Sequence, residues 1–166
     1  MKSRELKYAL VASALNLATG ATQETKSINM KNFHHCRFLI DVGTMGAADS
    51  TLKAYSGATD GATTSALAFS YQYGGATSIW GSTGTSSDVL ATATTVTAAT
   101  GLVITQATYP NYLLIVDVPA TIMDMANNEE WLTLEFTDAG GATGLVSVFA
   151  VLEPRYAGAF TDTCFA

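Results

Sequence analysis

The chain has 166 residues, enough for one domain that buries roughly 70% of its unfolded surface and so holds a core without disulfides or metal. Ala, Thr, Gly and Ser supply 76 of those residues and the large aliphatics sit in short runs, which favours thin strands joined by turns over long amphipathic helices. The net charge of −6 hides a split, with six basic against two acidic side chains in residues 1–37 (+4) and two against twelve in residues 38–166 (−10); an acidic body repels the phosphate backbone, which argues against a nucleic-acid partner. The split itself fits either a solubilising body with a chance basic start or a basic arm that lies on an acidic surface.

The first segment, MKSRELK followed by YALVASALNLA, has the layout of a signal peptide. Glu5 in its basic part and Asn16 in its apolar run argue against that reading, and the run is too short to span a bilayer, so no membrane partner is expected. Ser3 to Ala18 is expected as a short helix or an ordered extended arm, with Leu6, Leu10, Ala14 and Leu17 along one side. Its apolar character extends almost all round from Tyr8, so it needs a partner surface, either its own body or an adjacent subunit. The small polar stretch Gly20 to Lys26 reads as a linker. The expected division is therefore an N-terminal arm and linker over residues 1–27, able to leave the body and dock elsewhere, and a sandwich domain over residues 28–166. Candidate contact residues are Lys2, Arg4, Leu6, Lys7, Leu10 and Leu17 in the arm, with Met30 and Lys31 on the approach to the first strand.

From Ile28 to Gly43 (INMKNFHHCRFLIDVG), strict alternation places Cys36, Phe38, Ile40 and Val42 on one face and His35, Arg37, Leu39 and Asp41 on the other. Further strands are predicted over Thr51 to Tyr55 and over Ser65 to Tyr73, where Leu67, Phe69, Tyr71 and Tyr73 share a face. Ala76 to Trp80, Asp88 to Thr97 and Gly101 to Gln106 give weaker signals. Tyr112 to Val118 is apolar almost throughout, which predicts a strand covered on both faces, ended by Pro119. ATIMDMANNEE predicts a loop or short helical turn before the alternating strand Trp131 to Thr137. DAGGATG has turn chemistry and is expected to join that strand in a hairpin to Leu145 to Leu152. The fold class is all-β: two packed antiparallel sheets, a β-sandwich or jelly roll, with Phe38, Ile40, Leu114, Val116, Leu134, Phe136, Val148 and Ala150 in its core.

Candidate chemistry is sparse. His34, His35 and Cys36 have metal-ligand side chains, but consecutive strand residues point to opposite faces and no other histidine exists to complete a site. GTMGAAD, GATDGATT and DAGGATG lack the spacing and lysine of a phosphate loop and read as turns. A Ser/His/Asp triad would have to use His34 or His35, without a recognisable oxyanion motif, and a glycosidase carboxylate pair is a matter of tertiary geometry. Asp117, Asp124, Glu129 and Glu130 are of the type that gathers round Ca²⁺, but no EF-hand pattern accompanies them and a solvated acidic rim is the simpler reading. Tyr71, Tyr73, Trp80, Tyr109 and Tyr112 suit either a sugar-stacking platform or a core and subunit interface. Cys36 lies on the apolar face of its strand and is expected as a buried free thiol rather than half of a bridge with Cys164. The expectation is a protein that is not an enzyme and has no cofactor or metal.

The Ile28 to Gly43 stretch also resembles small virion-borne structural proteins of tailed bacteriophages, with an Asn-Met-Lys-Asn-Phe-type lead-in, an apolar strand and a Gly-containing turn. Later elements keep the order of that pattern: NYLLIVDV, then a terminal strand running into LEPRYAGAF, where Pro154-Arg155-Tyr156 is similar to the Pro-Arg-Tyr ending of the group. The N-terminal segment has no counterpart in it. Among virion roles the resemblance implies a capsid decoration or cement protein. Such a protein is a β-sandwich on the capsid surface that binds the major capsid protein, self-associates as a homo-oligomer with a trimer as the expected state, and is assembled in the host cytoplasm. A head–tail connector or tail component is the alternative within that class, and copy number per particle separates the two. A carbohydrate-binding β-sandwich module is the alternative from another class, and an uncharacterised hydrolase the third.

Overall fold

The computed structural model describes residues 5–17, 20–46, 48–74, 90–137 and 144–165. Among these residues the regular elements are strands and short 3-10 turns: β1 (Lys7–Asn16), β2 (Gln23–Glu24), β3 (Ile28–Asn29), β4 (Phe33–Met45), β5 (Ser50–Gly57), β6 (Ser65–Leu67), β7 (Phe69–Gly74), β8 (Thr94–Val96), β9 (Leu102–Ile104), β10 (Leu113–Pro119), β11 (Trp131–Thr137) and β12 (Gly144–Pro154). They form two sheets with antiparallel pairings. The first has the order β1-β12-β4-β10-β7-β8 and the second β2-β11-β5-β6, with β3 also on β11 and β9 also on β5.

The packing follows from period two. Cys36, Phe38, Ile40 and Val42 of β4 are fully buried, while His35, Arg37, Leu39 and Asp41 face away from the core. The inner faces meet in one cluster, Phe38, Ile40, Leu114, Val116, Val148 and Ala150 from the first sheet against Leu52, Ala54, Leu132, Leu134 and Phe136 from the second. All eight core residues expected from the sequence are among them. Burying each large side chain contributes about 1.5–3 kcal/mol, which makes this all-β sandwich core the main source of stability. The expected turn after Pro119 is present as two 3-10 turns, Ala120–Ile122 and Met125–Asn127.

One expectation left open is decided and two are corrected. Of the helix and the extended arm, the N-terminal segment is the extended form: Lys7–Asn16 is an edge strand paired with β12, Lys7 opposite Leu152 and Leu10 opposite Phe149. Tyr8-Ala9-Leu10-Val11 satisfies period two, and β12 supplies the hydrogen-bonding edge that decides between the two periods. Ala9, Val11 and Leu17 enter the core, and Leu17 N–H donates to the Gly144 carbonyl at 2.8 Å; residues 7–17 are thus a built-in part of the sandwich rather than a segment that lies apart from it. Next, Ser65 to Tyr73 is two strands. The chain passes at Ala68 from the second sheet, where Leu67 pairs with Ala54, to the first, where Phe69 pairs with Val96. Finally, β11 and β12 do not form a hairpin. Strand β11 pairs with β2, β3 and β5, and β12 with β1 and β4, because each is an interior strand whose best neighbours are remote in sequence. The candidate strand Ala76 to Trp80 lies outside the described residues, as do residues 88 and 89 of the segment Asp88 to Thr97, and in the described rest of that segment the strand is Thr94–Val96.

The N-terminal assignment predicts a contrast between two leucines expected on one side of a helix. Leu17 is 1% exposed and Leu10 49%, so in dilute solution Leu17→Ala should cost about 2–5 kcal/mol and Leu10→Ala within about 0.5 kcal/mol. Urea denaturation of both variants checks this; equal losses would contradict the strand.

Candidate functional site

Of the exposed large apolar side chains among the described residues, Leu6, Tyr8, Leu10, Leu145 and Phe149 lie on the outer face of the first sheet, and Leu90, Val103, Ile122 and Tyr156 elsewhere. The register of the first sheet builds three rows across the strands. The middle row runs Leu10, Phe149, Leu39, Ile115, Gln72. On one side lie Tyr8, Val151, Arg37, Asp117 and Ser70, and on the other Ser147, Asp41, Leu113 and Gly74. At about 4.8 Å per strand, the apolar part of the middle row is roughly 14 Å wide. It is open to solvent at its β1 and β12 end: Tyr8 is 72% exposed, Leu10 and Phe149 49% each, and Leu145 of β12 52%.

A charged cluster closes one side of this face. Arg37 Nε and a terminal guanidinium nitrogen donate to the two carboxylate oxygens of Asp117 at 2.7 and 3.2 Å, a bidentate geometry that fixes both side chains. His35 Nε2 lies 3.3 Å from the same carboxylate. Burial pushes His35 below its usual range more than Asp117 raises it, and Arg37 lowers it further. Leu6, His35, Arg37, Val151 and Glu153 line an open depression of ≈ 340 Å³ here.

The candidate contact residues from the sequence do not converge on one surface. Leu6 and Leu10 belong to this face. Leu17 and Met30 are buried in the core, Lys7 is partly buried, and Lys31 is exposed, 3.9 Å from Glu130. Lys2 and Arg4 lie outside the described residues. The sequence reading missed Tyr8, Leu145 and Phe149. The signal for Leu145 and Phe149 was present in GLVSVFAVLEP, as apolar on both faces as the Tyr112 to Val118 run.

The acidic quartet is dispersed rather than gathered round a cation: Asp117 holds Arg37, Asp124 accepts from Asn127 Nδ2 at 2.7 Å, and Glu130 faces Lys31. Glu129 is buried and accepts from the Ser56 and Ser65 hydroxyls at 2.6 and 3.0 Å, tying β5 to β6. Four of the five singled-out aromatics do come together. Tyr73 lies 6.4 Å from Tyr71, 5.4 Å from Tyr109 and 5.8 Å from Tyr112 between ring centroids. Tyr73 and Tyr109 meet edge to face, as do Tyr109 and Tyr112, and burial with a hydrogen bond to Tyr71 raises the Tyr109 phenol. The rings spend much of their surface on one another, which is internal aromatic packing; Trp80 lies outside the described residues. Cys36 and Cys164 are both buried free thiols, and burial pushes both above their ordinary range. Among the described residues no helix is long and apolar enough to cross a membrane.

No protein-family model, curated protein or solved structure matches the chain.

The lowered His35 gives a pH dependence with a definite sign. Between its folded value and the ordinary 6.5 or so, the unfolded chain holds a proton that the folded chain does not, so stability rises with pH across that window and is flat above it. His35→Gln should flatten the slope, which for one proton is at most about 1.4 kcal/mol per pH unit. Denaturation midpoints from pH 5 to 7.5 read it out, and an unchanged slope in the variant would assign the effect elsewhere.

Proposed function

We propose that the protein is a non-enzymatic structural component of a tailed-phage virion that binds the outside of the assembled capsid and stabilises it. The observation that carries this reading is the outer face of the first sheet. Tyr8, Leu10, Phe149 and Leu145 present there the kind of exposed apolar surface that marks a contact site in an assembly. The resemblance of Ile28 to Gly43 and of Pro154-Arg155-Tyr156 to virion proteins supplies the kind of assembly. Strand order adds support. The chain alternates between sheets, β4 in the first, β5 and β6 in the second, then β9 to β12 by turns, and its first strand lies beside its last. That interleaving favours a jelly roll, an architecture used by viral capsid domains and by lectins.

The physical basis is linkage. A protein that binds only the assembled shell stabilises it by about 2.7 kcal/mol per site at a hundredfold excess over Kd, and repetition over many sites turns modest contacts into resistance to rupture. Purified protein added to mature capsids that lack it should bind at many copies per particle and raise the temperature of DNA release. Absence of binding to every capsid form would contradict the proposal, and a small copy number confined to one vertex would indicate a connector or tail component.

A further inference from the structure

We infer that the outer face of the first sheet is covered by a second copy of this chain, in a two-fold pair whose axis runs along the Leu10–Phe149–Leu39–Ile115 row. The inference names the occupant of the face on which the capsid reading also rests, and its support is the layout of charge on β4. Two residues to one side of Leu39 stands Arg37, and two residues to the other side stands Asp41, exposed and without an ion pair among the described residues.

A two-fold rotation about the row exchanges the two flanking rows. Leu39 then faces its own counterpart, Arg37 of each copy faces Asp41 of the other, and the contact is made twice, as an isologous interface requires. Asp117 comes opposite Leu113 while keeping its own Arg37 and His35. Glu153 and His35 fall four residues from the axis, in the polar rim. An axis parallel to the strands and lying on β4 would instead set Arg37 against Arg37 and Asp41 against Asp41, and like-charge juxtaposition disfavours it. A parallel axis between β4 and β10 would set Arg37 against Asp117, a carboxylate that already holds the Arg37 of its own protomer, and Asp41 against Leu113. Of these arrangements the axis along the row is the one that gives Asp41 a cation. Four strands at about 4.8 Å by eight residues at about 3.3 Å give a footprint on the order of 500 Å² per copy, about 1,000 Å² for the pair, the lower size at which specific interfaces hold. The pair is therefore expected to dissociate on dilution.

The test uses the full chain. Sedimentation over a concentration series should show monomer passing to dimer, and Asp41→Lys, which sets Lys against Arg37, should abolish the dimer while leaving the far-UV spectrum unchanged, and the denaturation midpoint too at the dilution where the unmodified chain is monomeric. Facing sheets lie about 10 Å apart, too far for a direct disulfide, so Leu39→Cys should be joined to its counterpart by a bis-maleimide of about that span. Leu145→Cys, exposed but remote from the axis, should not be, and the buried Cys36 and Cys164 give the background. A mass of three, a monomer at every concentration, or a dimer that survives Asp41→Lys would overturn the inference. Capsid binding by the unmodified chain separates the two readings: an unmodified chain that stays monomeric while capsids are still bound removes only this inference, and an unmodified chain that pairs without binding capsids removes only the proposed function.

Discussion

The constraint on which the rest of the structure depends is that β12 and β10 are apolar on both faces, whereas a two-layer sandwich covers only one. Val146, Val148, Ala150 and Leu152 turn inward from β12 and vanish from solvent, and Leu145, Phe149 and Val151 turn outward from the same strand. On β10, Leu114, Val116 and Val118 fill the core while Leu113 and Ile115 belong to the other face, where Leu113 is half-buried and Ile115 only 8% exposed. The second sheet has no means of satisfying both sets. The core takes the first set, and β1 and neighbouring side chains shelter part of the second. What remains is a face that gains free energy by being covered.

The outer side of the second sheet is treated differently by the same chain. There Thr133 is fully buried and its hydroxyl lies 2.7 Å from that of Ser27, which also accepts the Gly61 N–H at 2.8 Å. Thr25 bonds Leu134 through both its backbone and its side chain, and Lys26 lies over the Phe165 ring. Polar residues of the chain's own loops and C-terminal segment thus cover that side, whereas the corresponding side of the first sheet combines apolar side chains with the Arg37–Asp117 pair. Of the two outer faces, that of the first sheet carries the larger group of exposed apolar side chains, Tyr8, Leu10, Leu145 and Phe149, against Val103 on the second.

How far this was legible in the sequence depended on whether a segment's choice was local. Phe38, Ile40, Leu134 and Phe136 declared their burial because alternation with charged or polar neighbours admits only one face. Lys7–Asn16 did not, because an Ala- and Leu-rich run satisfies both periods and only the edge of β12, remote in sequence, resolves it. The hairpin expected of β11 and β12 failed for a related reason: turn chemistry reports that the chain reverses, and cannot report whether it returns to the same sheet. Glu129 was read as rim because a carboxylate is seldom buried unless paired or hydrogen-bonded, and the Ser56 and Ser65 hydroxyls that accommodate it come from other strands.

The central claim, that the outer face of the first sheet is completed by another molecule, is tested most directly by hydroxyl-radical labelling of side chains across a dilution series. Phe149 and Leu10 should lose reactivity as concentration rises, while Tyr156, 67% exposed and outside the rows of this face, labels equally throughout. Equal labelling of Phe149 and Leu10 at every concentration, in the free protein and on capsids alike, would contradict it.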